Sequence, residues 1–299
     1  MGMLDGKVAV ITGSGRGLGE SHALAMVQEG AKIVINDLGI EWDGTGEKVS
    51  GPADEVVKEI KDAGGEAVAS YESVTDFNGS KRIIDCAIEN FGRLDILVNN
   101  AGFLRDRMSF KMSQEEWDTV VGVHLTGTFY CGRWASKYFR DQSKAGTPVN
   151  GRIINTISHA GLVGNMGQAN YAAAKAGIAS LTLVWARELE RYNVTANAVA
   201  PMARTRLTAQ DKSGFFAEVE EGQFDEMAPE NISPVVAYLA SDKAQDISGH
   251  VFSTRGGRLE LLENWKQGNA MDIGKKWTVA DIDQKIRELG DLGIPPIWF

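Results

Sequence analysis

The chain has 299 residues, with 31 Lys and Arg against 40 Asp and Glu, a formal charge of −9. A general nucleic-acid binder needs a basic field, so that role is excluded. Two cysteines, Cys86 and Cys131, are too few for a disulfide framework or a cysteine-rich zinc centre, and the four histidines show no metal-ligand spacing, so no metal is expected.

Apolar, β-rich runs alternate with helical patterns. Lys7–Thr12 reads as a buried strand and Lys32–Asp37 as a second. Between Leu38 and Gly51 lies a glycine-rich insert with little apolar content, expected to be an exposed loop. Pro52–Ala63 is a predicted helix, with Pro in its first turn and Gly64-Gly65 after its end. Glu66–Tyr71 is a weaker third strand, Ser80–Asn90 a helix and Leu94–Asn99 a fourth strand. Ser113 followed by Glu116 is a capping box, opening one long helix to about Asp141. Arg152–Ile157 is the fifth strand, Asn170–Arg191 another long helix, and Val194–Ala200 and His250–Thr254 complete seven strands. Unbroken apolar strands between helices indicate an α/β fold whose parallel sheet is covered on both faces. This domain is expected to span residues 1–257, including a lobe at 202–230 without a clear period. Residues 258–299 are expected to form a tail with a short helix, Val279–Leu289, and an apolar end, Ile294–Phe299, packed on its own subunit or a neighbour. No run approaches the ~18 apolar residues of a membrane span. Nor does the start show a charged segment followed by an apolar one, so a cytoplasmic protein is expected.

The chemistry is concentrated in two places. Directly after the first strand comes Thr12-Gly13-Ser14-Gly15-Arg16-Gly17-Leu18-Gly19, then a helix-forming run. Glycines allow a sharp turn and close approach of a pyrophosphate, and the helix N-terminus offers free N–H groups and positive charge. Asp37, some twenty residues on, is placed to accept bonds from ribose hydroxyls and to repel a 2′-phosphate, which favours NAD over NADP. Arg16 argues the other way, but a flexible arginine can swing aside while the carboxylate stays. The second place is Tyr171 and Lys175, four apart on a predicted helix and therefore on one face, with Ser158 at the C-terminal end of the fifth strand. An ammonium beside a phenol favours the phenolate, making Tyr171 a candidate acid/base for an alcohol–ketone pair with Ser158 holding its oxygen. A non-catalytic dinucleotide sensor needs the turn but not this set.

Taken together, Thr12-Gly13…Gly17-Leu18-Gly19, Asn99-Asn100-Ala101-Gly102 and Ser158 with Tyr171-x-x-x-Lys175 resemble the short-chain dehydrogenase/reductase family. The resemblance implies a three-layer Rossmann fold with a seven-stranded parallel sheet in order 3-2-1-4-5-6-7. It implies that Tyr171 is the acid/base, that Lys175 binds the nicotinamide ribose and tunes the phenol, and that Ser158 orients the carbonyl. Asn100, Ala101 and Gly102 are implied to line the adenosine side. Several positions depart from the family pattern. Ser73 stands where an Asp often contacts adenine, which shifts that contact to Val74. Pro201-Met202 replaces a usual Pro-Gly, and Thr205 matches a pyrophosphate-contacting Thr only if one residue is deleted. His124 stands where an Asn commonly holds a relay water; it has the donor and acceptor for that work, and it equally reads as a packed core histidine. His159 reads as structural.

A narrower likeness lies in Asn36-Asp37-Leu38-Gly39, Phe103–Arg107, Val123-His124-Leu125 and Asn165-x-Gly167–Tyr171. These resemble the (3R)-hydroxyacyl-CoA dehydrogenase domain of peroxisomal multifunctional enzyme type 2 and free-standing actinobacterial homologues. That implies an acyl-CoA substrate; the alternative is another secondary alcohol, such as a terpenoid, steroid or polyol. Walls for the substrate are expected from Phe103, Leu104, Leu162, Asn165 and the lobe's Phe215, Phe216, Phe224 and Met227, and CoA phosphates from Arg105, Arg107, Arg204 and Arg206, which also read as solvated charge. The helix bearing Tyr171 is apolar around much of its circumference, and the family pairs it across a two-fold, so a homodimer or homotetramer is expected.

Overall fold

The computed structural model describes residues 2–39, 51–205, 216, 219–220, 222–263, 266, 268–274 and 276–290. Most of the glycine-rich insert, Arg206, Phe215 and the apolar end Ile294–Phe299 lie outside the described residues.

The strands are β1 (Val8–Thr12), β2 (Lys32–Asn36), β3 (Ala67–Ser70), β4 (Ile96–Asn99), β5 (Gly151–Thr156), β6 (Val194–Pro201), β7 (Val251–Arg255) and β8 (Arg258–Leu262). They form one sheet in the order β3-β2-β1-β4-β5-β6-β7-β8. The first seven run parallel, and β8 turns back antiparallel on β7 with Arg255 opposite Arg258. Among the described residues the expected count of seven is thus corrected to eight. The extra strand follows a two-residue Gly256-Gly257 turn, Gly256 having a φ of +51°, and lies in the segment read from sequence as tail. As the edge strand it leaves Leu259 and Leu261 exposed.

Burial on both faces explains the unbroken apolar runs. Ala9 and Ile11 of β1 pack into one layer with helices α1 (Gly17–Gln28), α2 (Gly51–Asp62) and α8 (Ser233–Ala240). Val8 and Val10 pack into the opposite layer with α3 (Phe77–Phe91), α5 (Gly127–Lys144) and α7 (Ala169–Leu189). Helix α3 starts three residues before its expected Ser80, because the Asp76 carboxylate caps it by accepting from Asn78 and Gly79 N–H. The single long helix expected from Ser113 to Asp141 is broken. Ser113 does close a capping box on α4 (Gln114–Val121), but a π-helical turn at Gly122–Thr126 intervenes before α5. The remaining helices are α6 (Ala160–Val163), between β5 and α7, and α9 (Val279–Lys285), which continues as a 3₁₀ turn to Leu289.

Candidate active site

The C-terminal ends of β1, β4 and β5 meet along one sheet edge, and most of the nominated residues gather there. Thr12 ends β1. Its Oγ1 accepts from the N–H of Asn100 at 3.0 Å and of Ala101 at 3.1 Å, while Asn100 Nδ2 donates to the carbonyls of Thr12 and Gly13, both at 3.0 Å. The turn after β1 and the Asn100-Ala101-Gly102 segment after β4 are therefore one hydrogen-bonded unit. Gly13 has a φ of +63°, and a Cβ there would lie 2.7 Å from Ala101 Cα. Leu18 and Gly19 follow in the first turn of α1, where N–H groups have no intrahelical acceptor. Arg16 beside them is exposed.

Asp37, just past β2, is held by two backbone donors: Gly15 N–H at 2.9 Å to Oδ2 and Gly39 N–H at 2.7 Å to Oδ1. Val74 lies in the loop after β3, its side chain against Gly127 and its carbonyl accepting from Ser80 Oγ at 2.9 Å. Pro201 is the last residue of β6, and Thr205 follows four residues later. Sequence analysis did not single out Glu20. Its carboxylate accepts from Gly17 N–H at 3.1 Å and so neutralises one donor of the turn, and burial raises its pKa. An acid in the first turn of a helix was the available signal. The donors suit a dinucleotide: open N–H groups on a glycine turn for phosphate, a fixed carboxylate for hydroxyls, and a buried lysine.

That lysine is Lys175, 3% exposed, whose Nζ donates to Thr156 O at 2.6 Å and lies 5.5 Å from the centre of the Tyr171 ring. Ser158, two residues beyond β5, accepts from Ala160 N–H at 3.2 Å. The proton balance differs from the sequence expectation. Burial pushes Tyr171 up to about 12, against which the hydroxyl of Ser158 works and to which Asp106 adds. Burial likewise brings Lys175 down to about 7. Desolvation dominates this balance, and the phenol keeps its proton.

His124 occupies the π turn, a rare geometry frequent at functional sites. It is 2% exposed, its ring stands edge-on to Tyr171 at 5.1 Å, and its Nε2 lies 2.8 Å from Phe103 O and 3.2 Å from Phe103 N. Nδ1 is buried with no hydrogen-bond partner. Burial, with Lys175 assisting, lowers its pKa to about 3, so the ring is neutral. A Cβ on Gly102 would lie 2.1 Å from His124 Cε1, so the glycine gives the imidazole its place. His159 packs away from the cleft, its Nε2 3.1 Å from Ser253 Oγ in β7.

Of the nominated walls, Phe103 and Met227 are buried and Phe224 is exposed. Three of the arginines already face acids: Arg105 pairs with Glu115 at 2.9 Å, Arg107 with Glu116 at 2.9 Å, and Arg204 with Asp225. Among the described residues no cluster of three or more His, Cys, Asp or Glu is arranged to hold a metal, and no helix is long and apolar enough to cross a membrane.

Residues 7–214 match the family model for short chain dehydrogenases. The chain is 43% identical over 289 residues to the hydroxyacyl-CoA dehydrogenase ChsB1 of Mycobacterium tuberculosis, covering 95% of this chain and 89% of that one. It is 45% identical over 257 residues to the peroxisomal multifunctional enzyme type 2 of Drosophila melanogaster, 86% of this chain and 40% of that larger protein. A solved structure of a short chain dehydrogenase from Mycobacterium avium superposes with a TM-score of 0.87 at 49% identity, covering 96% of each chain. The glycine turn, Asp37 and the Ser158/Tyr171/Lys175 cluster all lie within the matched stretch, and the chain belongs to the short-chain dehydrogenase family.

Proposed function

We propose that this protein interconverts (3R)-3-hydroxyacyl-CoA and 3-oxoacyl-CoA, using NAD. The observation that carries the redox chemistry is the junction of Tyr171, Ser158 and Lys175 at the edge where the glycine turn opens. The acyl-CoA assignment is supported by the name of the M. tuberculosis relative. Ser158 holds the substrate oxygen, and Tyr171 gives a proton to that oxygen in reduction or takes one from it in oxidation. Lys175, anchored on Thr156 O, has further N–H donors that would hold the ribose hydroxyls, and it lies 5.5 Å from the Tyr171 ring centre. When bound, the nicotinamide would supply the hydride acceptor in oxidation and, in its reduced form, the hydride donor in reduction. Thr12, Gly13, Gly17, Leu18, Gly19, Asn100, Ala101 and Gly102 hold the dinucleotide, with Pro201, Thr205 and Val74 at its flanks. His124 closes the wall behind Tyr171.

NADH formation from a panel of (3R)-hydroxyacyl-CoAs, their 3S isomers and simple secondary alcohols tests the assignment. Turnover of a simple terpenoid, steroid or polyol alcohol with none of any CoA thioester would replace it with the second reading. That second reading is favoured by one observation, the prior engagement of Arg105, Arg107 and Arg204 with acids. The pH dependence follows from the high Tyr171 value. Below about 12 the phenol is protonated, so it is a ready acid for reduction at every ordinary pH, whereas oxidation needs the scarce phenolate. Oxidative kcat/KM is expected to climb between about pH 6 and 9 while the reductive value does not. The opposite pattern contradicts the role of Tyr171.

The preference for NAD rests on Asp37. Its two backbone donors keep the carboxylate in place, where a 2′-phosphate meets its charge. Asp37→Asn removes the charge and keeps one acceptor oxygen, leaving either the Gly15 or the Gly39 N–H facing the amide NH2. It should lower the NAD-over-NADP ratio of kcat/KM by roughly 10- to 150-fold, the equivalent of about 1.5–3 kcal/mol for a charged hydrogen-bonding group. An unchanged ratio would remove Asp37 as the selector.

The same reading assigns a cytoplasmic enzyme working as a homodimer or homotetramer. Trp117 of α4, Phe129 of α5 and Val184 of α7 are each about two-fifths exposed, which supports self-association through these helices.

A further inference from the structure

The first turn of α7, which carries Tyr171, is tied to the loop after β4 by a dense set of polar contacts. Arg107 N–H donates to Gly167 O at 2.7 Å. Gln168, 8% exposed, donates through Nε2 to Asp106 Oδ2 at 2.8 Å, and its Oε1 accepts from Asn165 Nδ2 at 3.0 Å. Asn170, fully buried, donates to the carbonyls of Arg105 and Glu116 at 3.1 and 2.8 Å, while its Oδ1 accepts from Tyr171 N–H at 2.7 Å. Gln168 is the residue before α7, yet its side chain does not cap the helix. Its amide is spent instead on a carboxylate across the cleft. A carboxylate on an exposed loop gains little from a neutral amide in terms of stability, so the arrangement is better explained by what it holds in place.

We propose that Asp106 is a positioning residue for the acid/base: through Gln168 its carboxylate fixes the N-terminal turn of α7, and with it the hydroxyl of Tyr171, against the loop after β4. The proposal rests on Tyr171 being that acid/base. Asp106 acts in two separable ways. As a hydrogen-bond acceptor it restrains Gln168. As a negative charge it opposes ionisation of the phenol. The other groups facing Tyr171 are the Ser158 hydroxyl from the turn after β5, the neutral His124 ring from the π turn and Lys175 one helical turn on. Arg105 and Arg107, which flank Asp106, are paired with Glu115 and Glu116 of α4.

Two substitutions in the full chain separate these actions. Asp106→Ala removes both acceptor and charge. Asp106→Asn keeps an acceptor for Gln168 Nε2 and removes only the charge. In Asp106→Ala, amide hydrogen exchange in residues 168–173 should quicken roughly fivefold or more. Its kcat should fall about tenfold with KM for NAD unchanged, since a small displacement of a catalytic group costs rate before it costs remote binding. In Asp106→Asn, exchange and the reductive kcat should return to wild type, and the pH–rate curve for oxidation should move to lower pH by a few tenths of a unit or more. Wild-type exchange in Asp106→Ala, or failure of Asp106→Asn to restore it, overturns the positioning role. A pH curve for Asp106→Asn superimposable on wild type overturns the electrostatic one. If the wild-type protein forms no NADH from any hydroxyacyl-CoA, the substrate assignment fails on its own, and the exchange measurement still decides the proposal.

Discussion

Replacing Tyr171 by Phe is expected to lower kcat by about 10³-fold or more, at the upper end of what general acid–base groups supply. Only the hydroxyl is lost. The ring keeps its edge-on contact with His124 at 5.1 Å, Lys175 keeps Thr156 O, and Asn170 keeps the backbone N–H of residue 171. Folding and dinucleotide binding should therefore survive. NADH binding by fluorescence titration should stay within about twofold of wild type, and the thermal midpoint within about 2 °C, because no volume in the core changes. Loss of turnover with retained binding assigns the phenol to the chemical step. Retention of a tenth or more of the wild-type rate removes Tyr171 from that role, and a lost thermal transition would show that the hydroxyl serves the fold instead.

The signals that the sequence carries in this region are local. Gly13 and Gly17 both adopt positive φ, and their spacing before a helix announces a turn that only glycine makes comfortably. Tyr171 and Lys175 are legible because four residues make one helical turn. The NAD preference argued from Asp37 likewise needs only a carboxylate at a strand end. What sequence could not supply is burial. The expectation of an acidified phenol counted the ammonium and omitted the desolvation that pushes Tyr171 the other way. Arg105, Arg107 and Arg204, nominated for CoA, look free in a sequence, and their acidic partners, Glu115, Glu116 and Asp225, are nine to 21 residues away along the chain.

Two misread elements show a different limit. The π turn at Gly122–Thr126 inserts a single residue's worth of slack into a helical pattern, too little to disturb an apolar period, yet it is where His124 sits against Phe103 and Tyr171. The eighth strand was announced by Gly256-Gly257, followed by alternation through Arg258, Leu259 and Glu260. Its one-sided exposure made it resemble tail rather than sheet. Asp106 and Gln168 lie 62 positions apart, so their contact is a property of topology alone.

The glycine turn supplies the second large effect, because two of its glycines are required for different reasons. Gly19 has an ordinary helical backbone, but a Cβ there would lie 2.3 Å from Gly13 O, 2.7 Å from Asn100 Nδ2 and 2.7 Å from Ser14 Cα. Two of those neighbours are backbone, so they cannot swing aside. Gly19→Ala must pry α1 from the turn and break the Asn100 bonds to Thr12 and Gly13. Overpacking of this kind costs about 1–3 kcal/mol, and a stranded buried amide adds about 1–3 more. The thermal midpoint should fall by about 6–12 °C, with NAD affinity down roughly 100-fold or more. Gly17 is the reverse case. Its φ is +61° and a Cβ there meets nothing within 4 Å, so Gly17→Ala costs only the left-handed strain of about 1–2 kcal/mol. Its methyl group, however, points into the open space above the turn where the pyrophosphate is expected. Gly17→Ala should thus lose NAD affinity with a midpoint only a few degrees lower, and Gly19→Ala should lose both. Wild-type NAD binding in Gly19→Ala would mean that the dinucleotide does not lie on this turn, and with it the assigned direction of the whole cleft would fall.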